Sequence, residues 1–219
     1  MASGSHNLFV VLEGVDGSGK TTVRKHLFRH LMDSGHEVLS IQGASWMAAE
    51  STRVIVEARF LGWPHPPEEI LQAYLDEKTA LTDRLLGPHL VHRSVVCDRY
   101  VHSDVVYAST TWGIPVEVSY PRYLAAPIRR PDLVLFLDAP PEVSLRRLAA
   151  SRRPDDIHPW ERLDKLRRNY ELFQNVIFDS AAPLAPSARI DCSRPLAAVC
   201  DEALRLVRER FAESEENDG

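Results

Sequence analysis

The sequence has few cysteines, no long apolar run and no signal-like start. Its three cysteines form neither a CxxC pair nor a Cys/His metal spacing, which predicts no disulfide framework and a reducing compartment. No apolar stretch approaches the ~20 residues that a bilayer-spanning helix needs, and the first residues lack a basic-then-apolar pattern. We therefore expect a cytoplasmic protein with no membrane partner.

The sequence also has no long block of basic residues, and its net charge is −5. This pattern predicts that nucleic acid is not a partner. The 44% hydrophobic and 26% charged residues are typical of a soluble globular domain, and 219 residues fit one such domain. With no repeat or linker, we predict a single domain over 7–211 and flexible tails at 1–6 and 212–219.

The strongest pattern in the chain lies between residues 8 and 22. An unbroken apolar run, LFVVL, is typical of a strand covered on both faces, and apolar residues at helical spacing follow the polar turn. Between them the sequence reads G-x-x-x-x-G-K-T. The filled positions are Gly14, Gly19, Lys20 and Thr21. A chance glycine-rich turn usually lacks this strand–loop–helix context, so we interpret the region as a P-loop.

The chemistry of a P-loop follows from its backbone. Glycines let consecutive N–H groups turn around phosphate oxygens, and the following helix adds the positive end of its dipole. Lys20 would reach the outer phosphates of a nucleoside triphosphate, and the Thr21 hydroxyl would hold Mg²⁺. The predicted ATP-binding residues are Gly14, Val15, Asp16, Gly17, Ser18, Gly19, Lys20, Thr21 and Thr22.

Short apolar strands alternate with helical stretches along the rest of the chain. The predicted strands are LFVVL, EVLSIQG, SVVCDRY, LVLFLD and SARIDCS. This alternation predicts an α/β fold with a five-stranded parallel sheet flanked by helices on both faces. The segment 44–62 has helical spacing that includes Trp46, and we predict a helix there.

Four segments stand out in chain order: LEGVDGSGKTT, VVCDRY, PDLVLFLDAPPEVSLRRL and IDCSRPLAAV. Together they resemble the thymidylate kinase family of P-loop nucleoside monophosphate kinases, over nearly the whole chain. The resemblance implies the P-loop kinase fold, Mg·ATP as the phosphate donor and a nucleoside 5′-monophosphate as the acceptor, with dTMP as the default. It also implies a homodimer.

Asp98, Arg99 and Tyr100 end the predicted third strand, at the sheet edge where ligands of open α/β sheets bind. A carboxylate there can hold Mg²⁺ through water, and Arg99 can grip the acceptor phosphate as a bidentate fork. A structural ion pair is the alternative. Asp16, inside the P-loop, would be repelled by phosphates unless it faces another group. The resemblance implies that it receives the sugar 3′-hydroxyl of the acceptor, and a turn-forming aspartate is the alternative.

The segment at about 146–160 is the predicted lid. Phosphoryl transfer needs positive charge over the migrating group, and a closing arm can deliver it. Arg152 and Arg153 lie at the loop edge and are the candidates, whereas Arg146 and Arg147 are predicted on a solvated helix face. The predicted catalytic residues are thus Lys20, Arg99, Arg152 and Arg153.

The acceptor side departs from the family. Members carry Phe-x-x-x-Arg in the helix before the DRY strand, and the same spacing here gives Tyr74 and Lys78, with Arg84 as an alternative register. A Gln usually follows the Tyr of the next helix, but Tyr107 is followed here by Ala108. The predicted acceptor-binding residues are Asp16, Tyr74, Lys78, Arg99 and Tyr107.

The loop after the second strand departs as well. The family has an Arg-Glu-Pro-Gly-Gly-like loop, and here IQGASWMAAES supplies no Arg before Arg53. Three functions therefore stay open: a thymidylate kinase with substitute contacts, a same-fold kinase for a non-standard monophosphate or other small acceptor, and a nucleotide-binding module without an acceptor. The DRY unit and the lid arginines favour a kinase over a module.

Overall fold

A five-stranded parallel sheet forms the centre of the computed structural model, which describes residues 7–44, 46–151 and 162–217. The strands are β1 (Phe9–Glu13), β2 (Val38–Gln42), β3 (Ser94–Asp98), β4 (Leu133–Asp138) and β5 (Ser187–Asp191). They are ordered β2-β3-β1-β4-β5, and every neighbouring pair is parallel. The predicted five-stranded α/β fold is confirmed.

Helices connect the strands. They are α1 (Lys20–Asp33), α2 (Ala49–Val56), α3 (Pro67–Leu81), α4 (Gly87–Leu90), α5 (Val101–Trp112), α6 (Val116–Ala125), α7 (Pro141–Ser151), α8 (Leu163–Phe178) and α9 (Leu196–Asn217). A π-helical segment, Glu57–Leu61, extends α2, and a second one, Thr82–Leu86, joins α3 to α4. Within the described ranges, no helix is both long and apolar enough to span a membrane.

The sheet separates two apolar cores because successive strand residues point to opposite faces. In β1, Phe9 and Val11 belong to the core formed with α3, α5 and α8, while Val10 and Leu12 belong to the core formed with α1 and α9. Both faces of the sheet are thus covered by helices. This double burial is the reason why the strands read as continuous apolar runs.

The topology opens a crevice between β1 and β3. The chain leaves β1 toward β2, and it leaves β3 toward β4, which lies on the other side of β1. Ligands in open α/β sheets bind at such a switch point, beyond the carboxyl ends of the strands. The loop after β1 and the residues after β3 therefore face each other across the candidate site, and the Arg99 amide donates to the Leu12 carbonyl at 2.9 Å.

Two helix boundaries differ from the predictions. The helix predicted over 44–62 begins only at Ala49, and Trp46 lies in the preceding loop with a φ of 54°. At the other end, α9 continues to Asn217, through most of the segment 212–219 that the sequence predicts as a tail. Phe211 packs in the core just before this segment, and Ser214 within it donates to the carbonyl of Arg210.

Candidate active site

The loop after β1 has the geometry of a P-loop. Gly14 has a φ of 140°, and a Cβ added there would lie 2.8 Å from the Leu137 carbonyl oxygen. Gly17 has a φ of 80°, and its added Cβ would lie 2.4 Å from the Ser144 carbonyl oxygen. Close neighbours and a left-handed backbone thus both exclude larger residues at these two positions. The loop leads into α1, whose N-terminus supplies N–H groups and a positive dipole end for an anion.

Lys20 is held inside this loop. Its Nζ donates to the carbonyls of Gly14 and Val15 at 2.9 and 2.8 Å, and it lies 3.5 Å from Ser18 Oγ. Burial, together with the nearby Arg99 cation, lowers the pKa of Lys20 to about 8. The ammonium therefore stays charged at neutral pH, in contact with the backbone of the loop.

Thr21 and Asp98 offer oxygen ligands beside the loop. Thr21 Oγ1 donates to Asp98 Oδ2 at 3.3 Å, and Asp98 Oδ1 is buried without a hydrogen-bond partner. An orphaned buried carboxylate oxygen fits a cation, and hydroxyl and carboxylate oxygens are the ligands that Mg²⁺ prefers. The described part of the chain has no group of three or more His, Cys, Asp or Glu that could hold a metal. The residues thus fit an ion shared with phosphate oxygens and water.

A second polar cluster of the site consists of Arg99, Asp16 and Tyr107. Arg99 pairs with Asp16 Oδ1 and donates to Ser103 Oγ at 3.2 Å, and its guanidinium lies 5.1 Å from the centre of the Tyr107 ring. The Tyr107 hydroxyl donates to Asp16 Oδ2 at 3.1 Å. Burial raises the pKa of Asp16, but the Arg99 and Lys20 cations outweigh it and lower the value to about 2. Asp16 is therefore an anion that can only accept hydrogen bonds.

Glu13, the last residue of β1, supports this cluster and is absent from the predictions. Its Oε1 accepts the amides of Tyr100 and Ser103 at 2.8 and 3.2 Å, and Ser103 Oγ donates to Oε2. Burial raises the pKa of Glu13 above its ordinary value. The carboxyl group fixes the turn that carries Arg99, whose φ of 69° is unusual for a residue with a side chain. The available signal was a charged residue at the end of an otherwise apolar strand.

One cavity of about 350 Å³ connects Lys20 and Thr21 of the P-loop with Arg99 and Tyr107 of the second cluster. Lys20, Thr21 and Arg99 line its phosphate end, and Trp46 and Tyr74 contribute aromatic walls. Burial raises the pKa of Tyr74 to about 12, so its phenol is neutral. The volume lies within the ~300–1,000 Å³ range of small-molecule sites.

Lys78 lies in the wall of this cavity, but it is not free. Its Nζ lies 2.7 Å from Asp104 Oδ2 and donates to the Gly43 carbonyl at 3.0 Å, and the lysine is only 2% exposed. The Tyr123 hydroxyl also donates to Asp104. Arg84, the alternative register, instead donates to the Met47 carbonyl and does not line the cavity. The structure therefore brings the Tyr74 and Lys78 pair to the site.

The prediction for Arg147 is wrong, because this residue contacts the P-loop instead of solvent. Its guanidinium donates to the Cys192 carbonyl at 2.8 Å and to the Ser18 carbonyl at 3.4 Å. The cause is tertiary: α7 approaches the loop so closely that one face of the helix is no longer solvated. Arg146 is exposed, as predicted. Arg147 therefore links the P-loop to the segment between β5 and α9.

The predicted lid arginines, Arg152 and Arg153, lie outside the described residues. Of the predicted lid at about 146–160, only 146–151, the end of α7, is described. The structure thus places Arg99, Tyr107, Tyr74 and Lys78 around one cavity with Lys20 and Thr21, and Asp16 contacts the site through Arg99 and Tyr107.

Comparisons with known proteins agree with this geometry. The family model described as thymidylate kinase matches residues 12–182. A thymidylate kinase of Ligilactobacillus salivarius is 29% identical over 208 residues, which cover 91% of this chain and 96% of that protein. A thymidylate kinase of a Synechococcus species is 32% identical over 76% of this chain and 79% of its own. A probable thymidylate kinase of Archaeoglobus fulgidus is 28% identical over 96% of this chain and 99% of its own.

The family model covers well over half of the chain, and the matched residues include the P-loop, the DRY unit and both cavity helices, α3 and α5. The chain belongs to the thymidylate kinase family.

Proposed function

We propose that this protein transfers the γ-phosphoryl group of ATP to the 5′-phosphate of dTMP. The observation that carries the proposal is one cavity lined by Lys20, Thr21 and Asp98 and also by Arg99 and Tyr107, which both contact Asp16. This arrangement supports a phosphate donor site and an anion-binding fork that share one cavity. The printed names of the relatives support thymidylate as the acceptor.

On the donor side, the loop backbone and Lys20 would hold the phosphates of ATP. Lys20 would exchange its contacts with the Gly14 and Val15 carbonyls for the outer phosphate oxygens. Thr21 and Asp98 would hold Mg²⁺, directly or through water. When bound, this ion neutralises the charge that develops on the β- and γ-phosphate oxygens.

On the acceptor side, Arg99 would clamp the 5′-phosphate and point it at the γ-phosphorus. A phosphate monoester has a second pKa of about 6, so it is largely a dianion at neutral pH and needs no general base. Asp16 would accept the sugar 3′-hydroxyl, with Tyr107 holding the carboxylate, and Tyr74 would stack on the base. Catalysis is then mainly positioning and charge stabilisation.

Three further features belong to the proposal. The catalytic domain spans 7–211, and Arg152 and Arg153 in the lid at about 146–160 add positive charge over the transferred group. The protein works as a homodimer, because the family resemblance implies one. It acts in the cytoplasm, where its three buried thiols, which are free, stay reduced.

A coupled ADP-release assay tests the function. The purified protein is supplied with Mg·ATP and, in turn, dTMP, dUMP, the other nucleoside monophosphates and phosphorylated metabolites. We expect the highest kcat/KM with dTMP. Turnover no higher than the acceptor-free ATPase rate with every acceptor would refute the kinase assignment, and a clear preference for another acceptor would refute dTMP.

A further inference from the structure

Trp46 has an unusual backbone conformation. Among the described residues, only Trp46 and Arg99 have a positive φ without being glycine, at 54° and 69°. Both line the same cavity. A bulky residue in the left-handed region costs free energy and persists only when its surroundings force it there, which happens most often at ligand sites.

The surroundings that force this conformation are two side chains of the neighbouring helical stretch. Glu77 is 2% exposed, and its carboxylate accepts the amides of Met47 and Ala48 at 3.3 and 2.8 Å. From about two turns further along, Arg84 donates to the Met47 carbonyl at 2.6 Å. The amides of Met47 and Ala48 and the carbonyl of Met47 are therefore all held by side chains of this helical stretch. Hydrogen bonds to ionised groups are stronger than neutral ones, which makes this an effective clamp.

The same carboxylate ties the loop to α2. Thr52 Oγ1, in the first turn of α2, donates to Glu77 Oε1 at 3.0 Å. A buried carboxylate is costly unless it is fully hydrogen-bonded, so Glu77 imposes one arrangement on the loop and on the start of the helix. Movement of the loop away from the cavity would break the hydrogen bonds that the Met47 and Ala48 amides donate to this carboxylate.

The clamp leaves a large aromatic side chain half-exposed at the cavity. Trp46 is 46% exposed and lines the cavity that Tyr74 also lines. A planar ring placed against the indole would cover apolar surface and gain stacking, and a nucleoside supplies such a ring. Trp46 lies in the loop where the resemblance implies an Arg-Glu-Pro-Gly-Gly-like segment, so this chain offers an aromatic face where the family has an arginine.

We propose that Trp46 binds the nucleoside part of the acceptor and that Glu77 is a positioning residue that acts through Trp46. The inference rests on the proposed function for the identity of the acceptor. It assigns to the loop after β2 a role in nucleoside binding, in addition to the contacts expected of Tyr74.

Steady-state kinetics of Trp46→Ala test the binding role. We expect the KM for dTMP to rise about 10-fold, which is within the range for loss of one base–aromatic stack, while the KM for ATP stays unchanged. Trp46→Phe should recover most of the affinity. The matched control is Trp63→Ala, because Trp63 is 56% exposed and does not line the cavity. An unchanged KM for dTMP in Trp46→Ala would overturn the proposal.

A double-mutant cycle tests the positioning role. Glu77→Gln should raise the KM for dTMP by a factor similar to that of Trp46→Ala, and the double variant should be no worse than either single variant. Asp76→Asn, an exposed carboxylate on the same helix, is the control. Effects that multiply would show that Glu77 does not act through Trp46. Thermal unfolding of each variant identifies any loss of fold. Because Trp46 is half-exposed, its substitution should change dTMP binding without unfolding the protein.

Tryptophan fluorescence separates this inference from the proposed function. Titration with dTMP should change the emission of the wild type and of Trp63→Phe strongly, and the change should be much smaller in Trp46→Phe, where only a response of Trp112 beside Tyr74 is expected to remain. This measurement needs no turnover, so it tests Trp46 even if the enzyme fails to phosphorylate dTMP, a failure that would refute the proposed function alone. Turnover of dTMP together with an unaltered emission change in Trp46→Phe would refute the inference alone.

Discussion

The donor and acceptor sides of the cavity are built in different ways. The donor side is mostly one continuous stretch, from Gly14 to Thr22, with Asp98 beside it, and its main contacts come from backbone and from one lysine. The acceptor side is assembled from the loop after β2, from α3, from α5, and from Arg99 after β3 with its partner Asp16. There, ionised side chains are bonded to one another or to the backbone, as Glu77, Lys78 and Asp104 show.

This difference explains why only one side departs from the family pattern. A backbone cradle restricts the residue type at several positions, because a Cβ at Gly14 or Gly17 would collide with a neighbouring carbonyl. A wall made of side chains restricts only the combined shape and charge, so one exchange can be compensated by another. The lysine at position 78, for example, comes with an aspartate at 104 that neutralises it.

The largest effect is expected when the acceptor wall is broken at Lys78. Lys78→Ala leaves the Asp104 carboxylate buried without its ion-pair partner, and breaking such a pair costs about 3–5 kcal/mol of stability. Denaturant unfolding should show this loss, while Lys25→Ala, an exposed lysine on α1, should unfold like the wild type. Equal stability of the two variants would show that the ion pair is not part of the fold.

Removal of a cation from each side should separate donor from acceptor binding. Lys20→Ala and Arg99→Ala should each lower kcat by about 10²-fold or more, because each removes charge stabilisation in the transition state. Lys20→Ala should also weaken binding of ATP, and Arg99→Ala binding of dTMP. Steady-state kinetics with each substrate varied in turn measure this, and Arg205→Ala on the exposed face of α9 is the control. Near-normal kcat in either variant would reject the role of that residue.

Gly43→Ala should perturb the acceptor side without touching a charge. A Cβ at Gly43 would lie 2.2 Å from the Arg99 carbonyl oxygen, so β2 and the turn carrying Arg99 must separate. We expect a loss of about 1–3 kcal/mol in unfolding free energy, typical of overpacking, with a raised KM for dTMP. Gly35→Ala is the control: its Cβ would meet no atom within 4 Å, and only its left-handed φ should cost stability. The same KM for dTMP in both variants would contradict the expected contact.

The smallest effect concerns the pH dependence of the donor side. Lys20 has a pKa of about 8, below its ordinary value, and only the protonated form attracts phosphate. As pH rises through about 8, the free enzyme loses this charge, so kcat/KM for ATP should decline above that pH. Lys20→Arg should remove the decline, because a guanidinium stays protonated. A profile that stays flat to pH 9.5 in the wild type would contradict the assigned pKa.

The donor side could be predicted because it is local in sequence. The apolar strand, the glycines, Lys20 and Thr21 occur within one short segment, and backbone geometry follows directly from it. The five strands and their parallel arrangement were also predictable, because double burial produces continuous apolar runs and helices alternate with them.

The acceptor side could not be predicted fully, because its contacts join distant residues. Nothing near Glu77 in the sequence indicates that its carboxylate binds the amides after Trp46, some thirty positions earlier. The helical spacing around Trp46 even predicted the wrong conformation, since the buried carboxylate holds this loop outside α2. Arg147 was misassigned for the same reason: only the packing of α7 reveals its contacts with the Ser18 carbonyl.

The most direct test of the central claim follows the phosphate itself. The protein is incubated with dTMP, Mg²⁺ and ATP labelled at the γ-phosphate, and the products are separated. A cavity that joins the two sites should place the label in dTDP, with one ADP formed for each dTDP. Label found only in inorganic phosphate would show that the P-loop works without the acceptor site, and would contradict the account.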